Sequence, residues 1–440
     1  MRDETVELEI DVSELRLGMH VIRLDCAWED TAFLFQGFVI QSRDEIDALQ
    51  IQCRKVVIEG KVKRELDKIS QGPLDKPDTA YFQRFSTDSG NTGTTKKSGK
   101  KSHPNAQRSA RRAIYINKVD VNTEIRTVTN HYSEAKSVAA GIMAGLRVGR
   151  ALDINRAREV VNNCVDSILR NKDALLLLTK LKQKDGYTAE HCLNVSILSA
   201  AFGKRLGLLE EEIRTLGLCG LLHDIGKTKV PLEILQKSGG LTPQEYCIMQ
   251  NHANWGRDML MALPKVVHAT IDVAYNHHER LDGRGYPRGL VDHQIPYNAK
   301  IVAIADTYDA ITSNRAYDSA RSSMSALKTI HRFRGTQFDS ELAREFILMI
   351  GIYPPGSIVE LKTGEVAIVL TSNPKNRRKP RIMLVRTANK KRISKYATLD
   401  LDLHPKADNG ELFTISKELP DGTFDVFIQH FIENGLILNY

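Results

Sequence analysis

The hydrophobic residues of the first 70 positions form short runs that alternate with turn-forming residues, a pattern typical of β-strands. Strands are predicted over residues 8–10, 20–22, 33–40 and 55–58, with a short helix over 44–52. Residues 1–70 are therefore expected to form a small β-rich domain. No cluster of catalytic side chains stands out in this stretch, which favours a regulatory or dimerisation role, with a homodimer as one expected assembly.

Residues 71–112 lack hydrophobic periodicity and are rich in Gly, Ser, Thr, Pro, Asp and Lys. Such a stretch buries too little apolar surface to offset the entropy of ordering it. Seven basic residues lie between positions 96 and 112, and no Phe, Tyr or Trp accompanies them. Because nucleic-acid contacts usually combine basic with stacking aromatic residues, we predict a flexible basic linker over 71–112 and no nucleic-acid polymer as partner.

From about residue 123 to residue 346 the apolar residues recur with the period of an α-helix. This spacing predicts a helical stretch over 151–181, with the apolar positions Val160, Val161, Val165, Ile168, Leu169 and 175–178. Further along, Thr242, Pro243 and Glu245 have the order of a helix start closed by a capping box. Residues 113–352 are therefore expected to form a mainly α-helical catalytic domain.

Strand-like runs return after residue 353. Residues 354–370 predict a hairpin with a Thr-Gly turn, 381–385 a further strand, and 425–437 a short amphipathic piece. Residues 353–440 are therefore predicted to form a β-containing appendage of the helical domain. Taken together, these patterns predict an α+β multidomain protein with a β-rich N-terminal domain.

The composition agrees with a soluble globular protein of two or three domains, since 42% of the 440 residues are hydrophobic. No apolar run is long enough to cross a bilayer, and the acidic N-terminus lacks a signal-peptide core. We therefore expect a cytoplasmic protein. Its six cysteines are scattered without a Cys-x-x-Cys pair, so they are expected to be small buried hydrophobic residues.

Ionisable residues stand at the ends of three apolar segments of the helical region. His223 and Asp224 follow the run 216–222, His277 and His278 follow the periodic segment 266–274, and Asp306 follows the run 301–305. A charged group at a buried helix end is costly unless it is paired or binds a metal. A single histidine is more often a core or surface residue than a ligand, but this joint occurrence favours a two-metal hydrolase site.

Several ordered motifs extend from about residue 185 to residue 338. Residues 223–227 read His-Asp-Ile-Gly-Lys, and residues 277–287 read His-His-Glu-x-x-Asp-Gly-x-Gly-Tyr-Pro. His252-x-x-x-Gly256 lies between them, and Asp306-x-x-Asp309 follows. In this order and spacing the chain resembles the HD-GYP family, cyclic di-GMP phosphodiesterases of the HD metal-hydrolase superfamily. The first 70 residues, with Trp28 as one shared landmark, resemble the small domain often fused to such enzymes.

The resemblance implies a metal-dependent enzyme that opens cyclic di-GMP to pGpG, GMP or both, using a hydroxide shared between two divalent cations. Asp224 would bridge the cations and act in catalysis. The implied ligands are His223 and Asp306 for one cation and His252, His277 and His278 for the other. Mixed histidine and carboxylate ligation suits iron or manganese, and the sequence leaves that choice open. Adjacent residues point about 100° apart on a regular helix, so His277 and His278 both ligate only where the helix ends.

The resemblance also implies roles around the substrate. Lys227 is expected to stabilise a phosphate oxygen in catalysis. The candidate substrate contacts are Asp185, His191, Tyr286, Asp309 and Arg315. Some family members hold a third metal through a histidine at the position of His191 and a glutamate four residues earlier, where this chain has Tyr187, which favours two metals. The Gly285-Tyr286-Pro287 turn is a candidate docking point for signalling proteins.

Two other functions stay open at this level. A catalytically silent receptor would bind the nucleotide or a partner protein without turnover, but loss of a metal ligand would be expected, and none of the set is missing. A nucleotidase of the wider HD superfamily, acting on dNTPs or ppGpp, is the third possibility. The Gly-Tyr-Pro extension argues against it.

Overall fold

The computed structural model describes residues 4–25, 38–40, 43–62, 113–180, 187–237, 239–313, 322–373, 376–407 and 409–433. Contacts between residues divide the chain into two compact units, Met1–Ala110 and Arg111–Tyr440. The predicted linker over 71–112 lies outside the described residues. The domain boundaries at residues 70, 112 and 352 stay predictions.

The N-terminal unit contains a four-stranded antiparallel sheet with the strand order β1–β4–β2–β3. Its elements are β1 (Glu4–Asp11), β2 (His20–Leu24), β3 (Phe38–Val39), α1 (Arg43–Gln52) and β4 (Lys55–Val62). Val21, Val56 and Ile58 pack with Leu49 of α1 in an apolar core. The four predicted strands and the helix are confirmed where the structure describes them, and 33–37 lies outside the described residues.

The second unit begins with a helical region. Its helices are α2 (Val121–Arg147), α3 (Ile154–Arg170), α4 (Lys172–Leu178), α5 (Tyr187–Arg205), α6 (Glu210–Leu222), α7 (Leu232–Leu235), α8 (Pro243–Gln250), α9 (His252–Met261), α10 (His268–Asn276), α11 (Tyr297–Thr312), α12 (Ser323–Arg332) and α13 (Ser340–Ile350). Helix α5 packs along α6, while α10 and α11 pack against this pair. The capping box at the start of α8 is confirmed, with Thr242 accepting from the Glu245 amide and Glu245 accepting from the Thr242 amide.

The helical pattern predicted over 151–181 is confirmed for residues 154–170 and 172–178, but as two helices, because the chain breaks at Asn171. This residue is extended, with φ −156° and ψ 111°, and its side-chain oxygen accepts from the amide of Asp173 at 3.0 Å. Its side-chain nitrogen donates to the carbonyl of Val119 at 2.9 Å. An asparagine that bonds its neighbouring backbone in this way competes with a continuous helix, so α3 ends and α4 starts anew.

A five-stranded antiparallel sheet follows, with the order β8–β7–β6–β5–β9. Its elements are β5 (Ile358–Leu361), β6 (Val366–Thr371), β7 (Arg381–Arg386), β8 (Arg392–Asp400), β9 (Ile415–Leu419) and the final α14 (Ile428–Glu433). The predicted hairpin is confirmed as β5 and β6, whose turn contains Gly364 at φ 98°. Strands β8 and β9 were not predicted.

The architecture is thus the expected α+β one: a mainly helical region with a small sheet domain on its N-terminal side in sequence and a second sheet on its C-terminal side. Within the described ranges no helix combines the length and apolar character needed to cross a bilayer.

Candidate metal centre

Five helices bring ionisable side chains to one point of the second unit. Helix α6 ends at Leu222, so His223 and Asp224 follow it directly, and His252 opens α9. Helix α10 ends at Asn276, directly before His277 and His278. Helix α11 carries Asp306, and α5 carries His191. The adjacent histidines therefore stand where the helix stops, as joint ligation requires.

One group of possible ligands combines a carboxylate with three imidazoles. Asp224, His252, His277 and His278 each offer a ligand atom, and these atoms lie within 4.8 Å of one another. Asp224 Oδ1 is 3.3 Å from His252 Nε2 and 3.6 Å from His277 Nε2. Such a set of nitrogen donors and one oxygen donor suits a first-row transition metal.

A second group lies on the other side of the same aspartate. His191, His223 and Asp306 also offer atoms within 4.8 Å of one another. Asp224 Oδ2 is 3.2 Å from His223 Nε2 and 3.7 Å from His191 Nε2. The two carboxylate oxygens of Asp224 therefore face different groups, which is the arrangement that a bridging ligand needs.

Hydrogen bonds fix the orientation of the imidazoles. The Nδ1 atoms of His223, His252 and His277 lie 2.8, 2.7 and 3.0 Å from the carbonyl oxygens of Gly220, Met249 and Val273. A carbonyl only accepts, so in the neutral ring each Nδ1 carries the proton and each Nε2 keeps a free lone pair. Every one of these lone pairs points towards the shared aspartate, ready to bind a cation.

The protonation states also fit metal binding. Burial lowers the pKa of His252 to about 3 and holds that of His278 well below its ordinary value, so both rings are neutral donors. Burial opposes ionisation of Asp224, but Lys227 and His223 hold its pKa well below the usual range. His223 Nε2 and Asp224 Oδ1 are buried without a hydrogen-bond partner. Orphaned buried atoms are costly, and a bound cation would satisfy both.

His191 is linked to two carboxylates. Its Nε2 is 3.0 Å from Asp306 Oδ1, and its Nδ1 is 2.8 Å from Asp309 Oδ2. Although burial favours the neutral ring, these two hydrogen bonds raise the pKa of His191 to about 9. Asp309, which also accepts from Ser313 Oγ at 3.1 Å, is buried and lies behind His191 as seen from Asp306. The Asp309–His191 pair has the form of the carboxylate–histidine pairs that orient metal ligands.

Lys227 lies beside the shared aspartate. Its Nζ is 2.5 Å from Asp224 Oδ2, and its carbonyl accepts from Arg147 Nη2 of α2 at 3.4 Å. Burial disfavours the charged amine, but Asp224 and Asp306 raise the pKa of Lys227 above its ordinary value. The side chain is therefore a fixed positive charge at the edge of the centre.

Close backbone contact sets the distance between the segments. A Cβ on Gly226 would lie 1.9 Å from the carbonyl oxygen of His252 and 2.5 Å from the amide nitrogen of Gly256. Only a residue without a side chain fits there. The glycines of the His-Asp-x-Gly-Lys and His-x-x-x-Gly motifs thus meet each other, which brings His252 next to Asp224.

The Gly-Tyr-Pro turn forms the wall of a cavity beside the centre. The cavity has a volume of about 330 Å³ and is lined by His277, His278, Tyr286 and Asp306, among others. The Tyr286 ring stacks on His278, with ring centroids 4.6 Å apart. Glu279 closes the loop by accepting from the amides of residues 288 and 290 at 2.7 and 2.8 Å. Both of its oxygens are thereby occupied, so it braces the loop.

The structure brings together most of the predicted residues. Those that converge on the centre or its cavity are His191, His223, Asp224, Lys227, His252, His277, His278, Tyr286, Asp306 and Asp309. Asp185 and Arg315 lie outside the described residues. His191 was predicted to be a substrate contact, whereas the structure places it among the possible ligand atoms; the bracing role of Glu279 was not predicted. The sequence signal for His191 was its match to a position at which some members of the resembled family bind a metal.

Two cysteines on helices α5 and α6, Cys192 and Cys219, are buried. Cys192 falls within reach of His223 and Asp224, but burial raises the pKa of its thiol well above the ordinary value. Burial also raises the pKa of Cys219 to about 12. Both thiols are therefore neutral where no metal is bound, and their burial agrees with the expectation from the sequence.

Comparison with known proteins agrees with this geometry. Residues 164–342 match the family model of the HD domain, and residues 7–157 match that of a domain of unknown function. A cyclic di-GMP phosphodiesterase of Pseudomonas aeruginosa is 34% identical over 383 residues, which cover 87% of this chain and 86% of the relative. A 3'3'-cGAMP-specific phosphodiesterase of Vibrio cholerae is 41% identical over 162 residues, or 37% of this chain and 36% of the relative.

Among solved structures, an HDG"Y"P protein from Bdellovibrio bacteriovorus aligns with a TM-score of 0.43 and 16% identity, covering 78% of this chain and 98% of that one. The match to the Pseudomonas relative spans most of both proteins, and the residues of the centre described above lie within the HD-domain match over 164–342. The chain belongs to the HD-GYP family of HD-domain phosphodiesterases.

Proposed function

We propose that this protein is a metal-dependent phosphodiesterase that hydrolyses cyclic di-GMP to pGpG, GMP or both, with two iron or manganese ions as cofactors. The observation that carries the proposal is the split of Asp224, whose Oδ1 faces His252 and His277 while its Oδ2 faces His223 and His191. The relative of matching length is named for the same reaction.

The first cation would be held by His252, His277 and His278, with Asp224 shared. The second would be held by His223 and Asp306, and His191 Nε2 lies within reach and would join them on losing the proton that it shares with Asp306. When bound, the ions supply Lewis acidity and an activated water for in-line attack on phosphorus. The protein side of this chemistry is preorganisation, because the Nδ1 bonds and the Gly226 contact hold each donor before any ion arrives.

Lys227 would stabilise the negative charge that grows on the phosphate oxygens. Its amine is protonated and held in place by a hydrogen bond to Asp224. The side chain therefore does not have to move when negative charge develops on the phosphate. Asp309 would act through His191 by keeping that ring fixed. Tyr286, stacked on His278, would shape the cavity mouth that receives the nucleotide.

The central experiment measures metal content and turnover on the same sample. Protein purified without oxygen is analysed for iron and manganese and then incubated with cyclic di-GMP, and the products are separated by chromatography. We expect pGpG or GMP to form in proportion to bound metal. Fully loaded protein that binds cyclic di-GMP tightly but releases no product would identify a receptor. Turnover of dNTPs or ppGpp in preference to cyclic di-GMP would identify a nucleotidase.

A further inference from the structure

The cavity beside the metal centre has a second wall that metal binding does not use. Arg280, Arg284 and Gln337 line it together with the ligands His277, His278 and Asp306. Arg280 and Arg284 come from the loop after α10, whereas Gln337 comes from the turn between α12 and α13. A substrate whose phosphate lies at the metal centre would extend along these side chains.

Arg280 binds two neighbouring side chains, Asp282 and Gln337. Its Nε and Nη2 donate to the two oxygens of Asp282 at 3.1 and 2.8 Å, and its Nη1 donates to Gln337 Oε1 at 2.6 Å. A guanidinium has donors only. The amide of Gln337 must therefore turn its oxygen to Arg280, and its nitrogen is left with two N–H donors.

These donors have no partner in the described part of the chain, since no hydrogen bond from Gln337 Nε2 to another described residue is found, and the side chain is only partly buried. Arg284 adds a guanidinium that is exposed and likewise makes no side-chain hydrogen bond to a described residue. This part of the cavity wall thus offers N–H donors from both side chains.

The purine bases differ along the edge that such a wall would meet. Guanine presents two acceptors there, O6 and N7, whereas adenine presents the acceptor N7 beside the donor N6. An unrestrained glutamine pairs with adenine through its oxygen and nitrogen together. In this chain the oxygen is occupied by Arg280, so the remaining donors match guanine and oppose adenine.

We propose that Gln337, oriented by Arg280 and assisted by Arg284, reads the O6/N7 edge of a guanine and makes the enzyme select cyclic di-GMP over cyclic di-AMP. This inference rests on the proposed phosphodiesterase function. A mismatched donor pair at a base edge discriminates by roughly tenfold to a hundredfold, so the expected selectivity lies in that range.

The test compares kcat/KM for cyclic di-GMP and cyclic di-AMP in wild type, Gln337→Glu and Gln244→Glu. The glutamate keeps an acceptor for Arg280 but replaces the donors with a second acceptor, so the guanine-to-adenine ratio should fall at least tenfold. Gln244 is an exposed residue in the first turn of α8, and its variant introduces the same charge without changing the ratio. Hydrolysis of bis(p-nitrophenyl) phosphate, which has no base, should stay within about twofold of wild type in Gln244→Glu, and in Gln337→Glu it measures any general effect of the new charge on the metal centre.

A second variant tests the orienting contact. Arg280→Met leaves Gln337 in place but frees its amide to rotate, so the ratio should again fall. An equal loss on both nucleotides in Gln337→Glu would mean a phosphate contact and would overturn the base-reading role. The base-reading role would also be overturned if the guanine-to-adenine ratio changed no more in Gln337→Glu than in Gln244→Glu. In that case, continued hydrolysis of cyclic di-GMP would leave the proposed phosphodiesterase function intact.

Binding affinities measured by calorimetry distinguish the phosphodiesterase proposal from the proposal of guanine selection. If the wild-type protein binds cyclic di-GMP at least tenfold more tightly than cyclic di-AMP without hydrolysing either, the phosphodiesterase proposal fails and the guanine selection stands. If the wild-type protein bound cyclic di-GMP and cyclic di-AMP with equal affinity, and hydrolysed them equally fast where it hydrolysed them, the proposed guanine selection would be wrong.

Discussion

The helical region and the C-terminal sheet both bury ionisable side chains, but the two regions differ in whether the polar atoms of these side chains have hydrogen-bond partners. In the sheet, Arg386 is only 4% exposed, and its Nε, Nη1 and Nη2 donate to three backbone carbonyls, at 3.0, 3.2 and 2.9 Å. In the helical region, His223 Nε2 and Asp224 Oδ1 are just as buried but have no hydrogen-bond partner. A satisfied buried charge holds a fold together, whereas unsatisfied lone pairs that converge indicate a binding site.

The largest effect is expected from removing the centre of the unsatisfied group. The double variant His223→Ala/Asp224→Ala removes the shared carboxylate and one imidazole, so it should lose bound metal and phosphodiesterase activity together, to the detection limit. Elemental analysis and product chromatography on one sample measure both.

The helical region also offers a matched control, the exposed pair His268 and Asp272 on α10, whose side chains are 88% and 45% exposed. The variant His268→Ala/Asp272→Ala should keep full metal content and turnover. Wild-type turnover in the His223/Asp224 variant would refute the site.

The next effect comes from the fixed positive charge. Lys227→Met keeps every implied metal ligand but removes the ammonium beside Asp224, so kcat should fall by about 10²–10³-fold with metal content unchanged. Lys229→Met, at an exposed position two residues on, should leave kcat unaltered. A Lys227 variant with normal kcat would limit that residue to an ion pair with Asp224.

The third prediction concerns backbone spacing. Gly226→Ala would force a Cβ into the His252 carbonyl, so the free energy of unfolding should fall by about 3 kcal/mol and metal content should drop with it. Gly141→Ala on α2, where a Cβ meets nothing within 4 Å, should instead stabilise the protein by about 0.5–1 kcal/mol. Urea unfolding measures the free energy of unfolding of both variants. Equal values for Gly226→Ala and Gly141→Ala would contradict the close contact between Gly226 and the His252 carbonyl.

The smallest effect is expected from the same substitution, Ile→Val, made once in the C-terminal sheet and once in the helical region. Ile382→Val in β7 and Ile304→Val in α11 each remove a methyl group from a fully buried side chain, so each should lower the free energy of unfolding by about 0.5–1.5 kcal/mol. Only the α11 variant should also lower metal affinity, because Ile304 packs two residues before Asp306. An equal loss of metal affinity in both variants would show that the regions do not differ in this respect.

Much of the centre was predictable because its residues mark the ends of apolar helices. His277 and His278 were assigned to a helix end because they follow the apolar segment 266–274, and α10 ends there. The place of His191 was not predictable, because it depends on how closely α5 packs along α6. A Cβ at Gly220 would lie 2.8 Å from the backbone of Ser196, and no local pattern reports that contact.

The C-terminal sheet also shows that local sequence patterns predict only part of the structure. The hairpin of β5 and β6 follows from local alternation and a Thr-Gly turn, but β8 carries register irregularities against β7 and a mostly polar surface. Its alternation is therefore weak in the sequence. Likewise the break at Asn171 depends on two hydrogen bonds, and one of them reaches the distant carbonyl of Val119.

The contact at Gly226 has a consequence for how such a centre can change. The separation of the two ligand-bearing segments is set by backbone atoms that touch, not by the imidazoles themselves. Side chains can therefore be exchanged around the cations while the frame stays where it is. A protein built in this way can be adapted to a different metal, or to none, by point substitutions that leave its architecture untouched.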